Sequence, residues 1–252
     1  MFDLIKARKN HGYQAIKNIA EANIISTYRG FPIINENKVN GNIDNILNSC
    51  PTKAISKNPL SVNLGKCIFC GECEKFSNGA IKFSDKYKIG CDSLSKLIID
   101  AKTNYDEFEK FAITARKEIH KMFGRSLKLR QVSAGGCNGC EMELNASGNV
   151  NFDMGRFGID FVASPKHADG IVITGPITKN MSKALFDAYK SVGEPKIVIA
   201  TGACAISGGI FSNSTEIDRK FMEKIKIDLF IPGCPPHPLT IINSLLKFLD
   251  RN

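Results

Sequence analysis

The sequence predicts an α/β protein in which a smaller α+β unit precedes a parallel sheet with helices on both faces. In the second half, short apolar runs alternate with amphipathic segments of helical period. Nine cysteines form an early and a late group, and a charged stretch without proline separates them. Strands that alternate with helices of this length are typical of a parallel sheet covered on both faces.

The apolar runs and the amphipathic segments define the predicted elements of the second half. Strands are predicted at residues 127–132, 159–163, 170–174, 197–200 and 227–231. Helices are predicted at residues 181–192, 216–225 and 239–250. Residues 92–123 are predicted as one helix that ends before Gly124 and links two domains. The predicted division is residues 1–90, a helical linker at 91–125, and residues 126–252.

The composition excludes several classes of protein. The 252 residues are 43% hydrophobic, as in packed globular chains, and carry a formal net charge of +9. Lysine and arginine are scattered among acidic residues, so a nucleic-acid partner is not expected. No window reaches the ~20 apolar residues of a membrane span, and residues 1–6 lack the apolar part of a secretory signal. We therefore expect a cytoplasmic protein whose cysteines bind metal rather than form disulfides.

The first cysteine group contains the run C-x2-C-x2-C at Cys67, Cys70 and Cys73. In bacterial ferredoxins this run continues as x3-C-P, and the fourth cysteine binds the other cluster of a two-cluster domain. Ser77 occupies that fourth position here. The second of two ferredoxin repeats has therefore lost the cysteine that would serve the other cluster.

The first repeat is represented by Cys50, which Pro51 follows. The three cysteines expected before it are replaced by Asn40, Ile43 and Ile46. The exchange of the fourth cysteine between the two repeats is called the crossing rule here. By this rule, Cys50 binds the same cluster as the C-x2-C-x2-C run, and all four lost cysteines belong to the other cluster. We therefore predict a ferredoxin-like domain that retains one [4Fe–4S] cluster, with Ile43 and Ile46 filling the vacated site. A zinc site made by the same four cysteines is the alternative. Cys91 is interpreted as a small buried hydrophobic residue.

The second cysteine group lies where predicted strands end. Cys137 and Cys140 follow the first strand of the second half, Cys204 follows the fourth, and Cys234 follows the last. Ligands of open parallel sheets bind at the carboxyl ends of strands, so these four thiolates can surround one [4Fe–4S] cluster. The glycine-rich loops bring backbone amides near the cluster sulfurs. Phosphate binding and a thioredoxin-like role for Cys137 and Cys140 are the alternatives.

Several motifs in the first part resemble the ferredoxin subunit of formate-hydrogenlyase-type complexes. They are Y-R-G-F-P at residues 28–32, N-S-C-P-T-K-A-I at 48–55, L-G-K-C-I-F-C-G at 64–71 and A-I-K at 80–82. The resemblance covers about the first 90 residues. That family normally carries two clusters in this domain, and this sequence departs from it.

The second part resembles the small-subunit domain shared by energy-converting [NiFe] hydrogenases and the 20 kDa subunit of respiratory complex I. The motifs are G-G-C-N-G-C-E at residues 135–141, F-G-I at 157–159, S-P-K-H-A-D at 164–169, G-P-I-T at 175–178, T-G-A-C at 201–204, S-G-G-I-F at 207–211 and P-G-C-P-P at 232–236. The resemblance covers about residues 125–250. The spacing C-x2-C resembles the hydrogenase branch, because complex I subunits have adjacent cysteines there.

The resemblance implies a flavodoxin-like sheet and a fusion of two subunits that are often separate. It also implies that Cys137, Cys140, Cys204 and Cys234 bind the cluster nearest the catalytic subunit. Glu141 is either a carboxylate near that cluster that couples proton movement to its charge, or a favourable charge at a helix start. Arg156 is implied to face the catalytic subunit. His167 and His237 are interpreted as packing or surface residues, with a proton-carrying role near the cluster as the alternative.

The function implied is an electron-transfer subunit of a membrane-bound [NiFe] hydrogenase of formate-hydrogenlyase type. It would contain two [4Fe–4S] clusters and no catalytic residue of its own. The implied partners are the [NiFe] hydrogenase large subunit, which is similar to the complex I 49 kDa subunit, a further ferredoxin-type subunit and, indirectly, membrane-arm subunits. The complex would hold the chain at the inner face of the cytoplasmic membrane. The alternatives are a complex-I-like subunit whose cluster delivers electrons to quinone, and a zinc-binding scaffold.

Overall fold

The computed structural model describes residues 2–39, 43–114 and 117–251. The strands are β1 Pro32–Ile34, β2 Ile55–Ser56, β3 Ser61–Asn63, β4 Ile81–Phe83, β5 Ile98–Asp100, β6 Leu127–Ser133, β7 Ile159–Phe161, β8 Gly170–Thr174, β9 Ile197–Thr201 and β10 Leu229–Ile231. The α-helices are α1 Phe2–His11, α2 Ile43–Asn48, α3 Glu72–Phe76, α4 Tyr105–Phe111, α5 Lys117–Phe123, α6 Gly139–Ser147, α7 Lys179–Ser191, α8 Ala203–Ser207, α9 Lys220–Lys224 and α10 Pro238–Phe248.

The second half forms a five-stranded sheet with the order β10-β9-β8-β6-β7. All of its neighbouring strands pair in parallel. Counted within this sheet, the order is 2-1-3-4-5, which is that of flavodoxin-like folds. The predicted α/β class and flavodoxin-like sheet are therefore confirmed.

Side chains of this sheet pack into a core on each face. Ile171 and Ile173 of β8 belong to one apolar cluster, together with Leu185 of α7. Val172, between them in sequence, belongs to a second cluster that includes Leu245 of α10. Every residue of β8 is buried, as expected for a central strand with helices on both sides.

The predicted strands agree with the structure to within about two residues at their ends, and Gly170–Thr174 agrees at both ends. The helix predicted at 181–192 is α7, and the one predicted at 239–250 is α10. The helix predicted at 216–225 is shorter in the structure, because α9 begins at Lys220 and ends at Lys224. The sequence interpretation did not place α6 and α8, the short helices that begin inside the cysteine loops.

The prediction of one continuous helix over residues 92–123 is wrong. Residues 98–100 form β5, which pairs antiparallel with β3 and buries Ile99. Pairing with β3 outweighs the helical tendency of the charged sequence, since the adjacent isoleucines suit a half-buried strand. A short 3-10 helix, Ser95–Leu97, precedes β5, and in the described part of this stretch α-helix follows it as α4, which the side chain of Asn104 caps, and as α5. The division into two domains and a linker stays a prediction.

The first part contains two small antiparallel sheets, β1-β4 and β2-β3-β5. Ile46 is buried in the core of this part, and Ile43 packs against the same core. Ser77 is also buried, and its hydroxyl donates to the Ile81 carbonyl and accepts from the Ile81 amide. Ile43 and Ile46, which stand in place of two expected cysteines, therefore fill space in the apolar core. Ser77, which stands in place of a third, is buried with its hydroxyl hydrogen-bonded. Asn40 lies outside the described residues.

One apolar cluster joins the two parts of the chain. Phe31 and Leu64 of the first part lie in the same cluster as Ala200 and Phe230 of the sheet. Cys91 also pairs with Phe230 through a backbone bridge. Among the described residues, no helix has the length and apolar character needed to cross a membrane.

Candidate metal centres

The first tetrad, defined as Cys50, Cys67, Cys70 and Cys73, lines a single small cavity. Cys50 follows α2, and Cys73 lies in the first turn of α3. Cys67 and Cys73 are buried, Cys50 is partly buried and Cys70 is exposed. The structure thus brings together the four cysteines that the crossing rule grouped.

Backbone amides point at two sulfurs of the first tetrad. The amide of Ala54 donates to Cys50 Sγ at 3.2 Å, and the amide of Phe69 donates to Cys67 Sγ at 3.3 Å. Gly71 caps α3 with a φ of 81°, a conformation that glycine adopts without strain. The tight turn lets the loop curve around the cavity so that Cys70 and Cys73 face the same space.

In the first tetrad, burial and the charges of neighbouring cysteines raise the pKa of two thiols. Burial raises the pKa of Cys67 to about 12, and the neighbouring cysteines add to the shift. Burial likewise raises the pKa of Cys73 to about 12, with further contributions from Cys50 and Cys70. The raised pKa values disfavour the thiolate form, so a cation or cluster bound at this site would be needed to stabilise four thiolates together.

The second tetrad, defined as Cys137, Cys140, Cys204 and Cys234, lies at the carboxyl ends of three strands. The loops follow β6, β9 and β10. Cys137 and Cys234 are exposed, while Cys140 and Cys204 are partly buried in the first turns of α6 and α8. Because the three strands are parallel, their loops meet at one edge of the sheet, as the sequence predicted.

Two glycines are required by the close approach of backbone to sulfur. A Cβ at Gly202 would lie 2.5 Å from Cys140 Sγ, and Gly202 has a φ of 89°. A Cβ at Gly209 would lie 2.9 Å from Cys204 Sγ. Any larger residue would displace a cysteine of the second tetrad, so these glycines shape the site.

In the second tetrad, too, burial and the charges of neighbouring groups raise the pKa of Cys140 and Cys204. Burial raises the pKa of Cys140 well above its ordinary value, with further contributions from Glu141 and the other three cysteines. Burial raises the pKa of Cys204 to about 11, with Cys234 and Cys137 adding to the shift and Arg219 opposing it. These interactions place all four sulfurs in one electrostatic neighbourhood.

Glu141 is a buried carboxylate held by two hydroxyl groups, with only 7% of its surface exposed. Ser133 donates to Glu141 Oε1 at 2.6 Å, and Thr174 donates to the same atom at 2.7 Å. Burial opposes ionisation, but these hydrogen bonds hold the pKa of Glu141 below its ordinary value. Both interpretations remain open, since Glu141 lies in the first turn of α6 and also next to Cys140.

The two tetrads are neighbours. Cys70 of the first tetrad contributes to raising the pKa of Cys234 of the second, beyond the larger effects of burial and of Cys137. The polypeptide before Cys67 also touches the second site, because a Cβ at Gly65 would lie 2.8 Å from Ile206 Cγ2 in α8. The segment before Cys67 therefore packs beside α8, the helix that carries Cys204.

The histidines singled out in the sequence have different surroundings. His167 is exposed and precedes β8, so it lies toward the amino-terminal edge of the sheet, away from the cysteine loops. His237 caps α10 by accepting the Leu239 amide, and its ring packs edge-on against Tyr28 and Phe152. Burial lowers the pKa of His237. These contacts support the surface and packing interpretations.

Arg156 and Cys91 lie outside both tetrads. The Arg156 guanidinium donates to Tyr13 Oη and the Ile16 carbonyl, and it lies over the Phe157 ring. Cys91 is completely buried, and its thiol faces the carbonyls of Ile89 and Lys96. The packing interpretation of Cys91 agrees with this position.

Sequence reasoning missed two arginines beside the tetrads. Arg29 donates from Nε to the Phe69 carbonyl at 2.6 Å, and its side chain packs against Gly71. Arg219 binds the backbone around Cys204. Arg29 belongs to the Y-R-G-F-P motif, but neither arginine lies near its tetrad in sequence, so cysteine spacing does not indicate that it lies beside the site. Ser133 and Thr174 were also missed, although both end neighbouring strands of the predicted sheet.

The donor sets fit iron–sulfur clusters. Each tetrad offers four soft thiolates with glycine-containing loops around them, which is the usual ligand set of a [4Fe–4S] cluster. Over residues 2–39, 43–114 and 117–251, no three or more His, Cys, Asp or Glu side chains are arranged as a ready-made ligand group for a single metal ion, so the fit rests on the number and type of the cysteines and on their place in the fold.

Comparisons with known proteins match the second part of the chain. Residues 137–248 match a family described as NADH ubiquinone oxidoreductase, 20 Kd subunit. The probable membrane-bound hydrogenase subunit mbhJ of Pyrococcus furiosus is 37% identical over 134 residues, which cover 53% of this chain and 80% of that protein. An NADH-quinone oxidoreductase subunit of Citrifermentans bemidjiense is 43% identical, over 44% of this chain and 65% of its own length. Formate hydrogenlyase subunit 7 of Escherichia coli is 43% identical, over 49% of this chain and 48% of its own length.

Proposed function

Because the chain belongs to the family of the 20 kDa subunit of NADH ubiquinone oxidoreductase, we propose that it is an electron-transfer subunit of a hydrogenase or complex-I-like complex. The observation that carries the proposal is the second tetrad, in which three strand ends of one sheet bring four cysteines together. The relatives include subunits of membrane-bound hydrogenase, formate hydrogenlyase and NADH-quinone oxidoreductase.

Each tetrad would hold one [4Fe–4S] cluster. Cys50, Cys67, Cys70 and Cys73 would hold the first, and Cys137, Cys140, Cys204 and Cys234 the second. A bound cluster supplies one-electron redox chemistry. The residues of the chain contribute the thiolate ligands, the amides that face sulfur, and a sheet edge that fixes the positions of the loops.

The finer proposal is a relay between the ferredoxin-type cluster and a cluster beside a catalytic large subunit. The packing of the segment before Cys67 against α8 supports it, because α8 carries Cys204 of the second tetrad. The exposed cysteines of the second tetrad leave that site open to a partner. The partners would be a large subunit similar to that of [NiFe] hydrogenases, a further ferredoxin-type subunit and, indirectly, membrane-arm subunits. The complex would lie at the cytoplasmic face of the membrane.

Between the two branches of the family, we propose the hydrogenase branch. The spacing of Cys137 and Cys140 resembles that branch, while relatives of about equal identity come from both. The partner subunit decides between them: paired C-x2-C motifs for nickel in the large subunit would support hydrogenase. A large subunit without those motifs would mean that electrons reach quinone.

Metal analysis tests the proposal directly. After anaerobic reconstitution we expect about eight irons and eight acid-labile sulfides per chain, four of each for each cluster. Four irons would leave one tetrad empty. Zinc without iron or sulfide would contradict the proposal and support a structural scaffold.

Two cysteine variants sharpen this test. Cys70→Ala should lose about half of the iron, because it removes one ligand of the first tetrad. Cys91→Ala should keep the full iron content, since Cys91 is buried in the apolar core away from both tetrads. Loss of all iron in the first variant, or of any in the second, would contradict the assignment of ligands.

A further inference from the structure

Arg219 is a half-buried arginine that precedes α9 and binds the backbone around Cys204. Its Nη1 donates to the carbonyls of Pro176 and Cys204, each at 3.3 Å. Its Nη2 donates to the carbonyls of Ala205 and Ile206, each at 2.8 Å. One guanidinium therefore holds the loop after β8 and the short helix α8, on which Cys204 lies.

The acidic residues around Arg219 do not neutralise it. Among the described residues, no carboxylate oxygen lies within the 4.0 Å of an ion pair with its guanidinium. Asp218 is bound instead by the Ser182 hydroxyl and the Lys220 amide. Glu223 is exposed and attracts the guanidinium only from a longer distance.

A partly desolvated cation without a neighbouring anion is unfavourable. Burial lowers the pKa of Arg219, and charge interactions with Cys204 and then Glu223 oppose that shift. The four hydrogen bonds satisfy the Nη donors of the guanidinium with carbonyls, which carry no net charge. Because Nη1 binds the Cys204 carbonyl, the geometry places this positive charge at the backbone of a cysteine of the second tetrad.

We propose that Arg219 is a positioning residue whose counter-ion is the iron–sulfur cluster of the second tetrad, and that its charge raises the reduction potential of that cluster. This inference rests on the proposed function, since it requires a cluster at that site. A cluster with four thiolate ligands is anionic, and one-electron reduction adds a further negative charge. A nearby fixed cation favours the reduced form, and local charge is one of the features that set cluster potentials.

The chain offers matched variants for testing the charge. Arg219→Met removes the charge and the hydrogen bonds together. Arg219→Lys retains the charge but cannot reproduce the planar fork that binds several carbonyls. Lys220→Met removes an equal charge one residue away, from an exposed side chain at the start of α9. The first cluster, beside Arg29 rather than Arg219, serves as an internal reference in every variant.

The experiment is a redox titration of the reconstituted full chain, followed by electron paramagnetic resonance. The midpoint potential of the second cluster should fall in Arg219→Met, fall less in Arg219→Lys, and stay unchanged in Lys220→Met. The potential of the first cluster should change less than that of the second in Arg219→Met. If Arg219→Met does not retain iron at the second tetrad, Arg219→Gln replaces it with the same expected fall.

Failure of this inference can be told apart from failure of the proposed function. A wild-type chain without iron and sulfide would refute the proposed function. A neutral variant with the full iron content and the wild-type potential would overturn the role of Arg219 and leave the clusters in place. An equal fall in Arg219→Lys and Arg219→Met would also overturn it, because the hydrogen bonds rather than the charge would then be responsible.

Discussion

At the scale of single residues, the buried polar groups beside the second tetrad differ in how well they are satisfied. Glu141 accepts hydrogen bonds from Ser133 and Thr174, which end two neighbouring strands and pair with each other in register. Thr201 ends the next strand, and its buried hydroxyl has no hydrogen-bond partner among the described residues. Thr174 therefore satisfies a buried carboxylate, whereas Thr201, at the equivalent end of the next strand, has a buried hydroxyl that is not hydrogen-bonded among the described residues.

Replacing each threonine by valine should separate these roles. Thr174→Val should lower the free energy of unfolding by about 1–3 kcal/mol, because it removes a hydrogen bond from a buried carboxylate. Thr201→Val should be neutral or stabilising, because its hydroxyl is buried without a partner. Urea unfolding of the metal-free chain under reducing conditions measures both changes. Equal losses in the two variants would contradict the assigned hydrogen bond.

The sequence predicted the eight cysteines of the two tetrads but not the residues that support them. Cysteine spacing is a local signal, because C-x2-C runs place sulfurs together whatever the rest of the fold. Arg219 precedes Cys234 by 15 positions, and it reaches the site only because α9 lies beside the loop after β8. Such a contact depends on tertiary packing, which residue spacing does not encode.

At the scale of elements, the buried strands were the most predictable part. Runs such as Gly170–Thr174 are apolar throughout because both faces of the sheet are covered, so their pattern needs no knowledge of partners. In contrast, α6 and α8 begin inside glycine- and cysteine-rich loops that have no apolar period. β5 was misassigned because only its pairing with β3 makes residues 98–100 a strand.

The loop after β9 should tolerate no side chain at Gly202. Gly202→Ala should reduce the iron content from about eight to about four per chain, because the added Cβ would collide with Cys140 Sγ and the backbone has a positive φ. Gly193→Ala is the matched control, since no atom lies within 4 Å of its added Cβ. Iron analysis after reconstitution measures both. A full iron content in Gly202→Ala would show that the loop can shift to admit the methyl group.

At the scale of the whole molecule, one apolar cluster contains residues from both parts of the chain. The packing of the segment before Cys67 against α8, which carries Cys204, leads to a spectroscopic expectation for the two proposed clusters. When both clusters are reduced, their paramagnetic resonance signals should be broadened by mutual interaction. Cys70→Ala, which should lack the first cluster, should give the sharp signal of an isolated centre. Two sharp, independent signals in the fully reduced wild-type chain would argue against the close approach.

The apolar cluster that contains Phe31, Leu64, Ala200 and Phe230 has a consequence for the rate of electron transfer between the two proposed clusters. Electron tunnelling slows exponentially with distance, so a flexible tether between two centres would make the rate fluctuate with every motion of the linker. If the two tetrads hold clusters as proposed, this packed interior would act as a fixed spacer between them. Substitutions in that interior, far from any sulfur, would therefore alter the tunnelling distance and with it the rate.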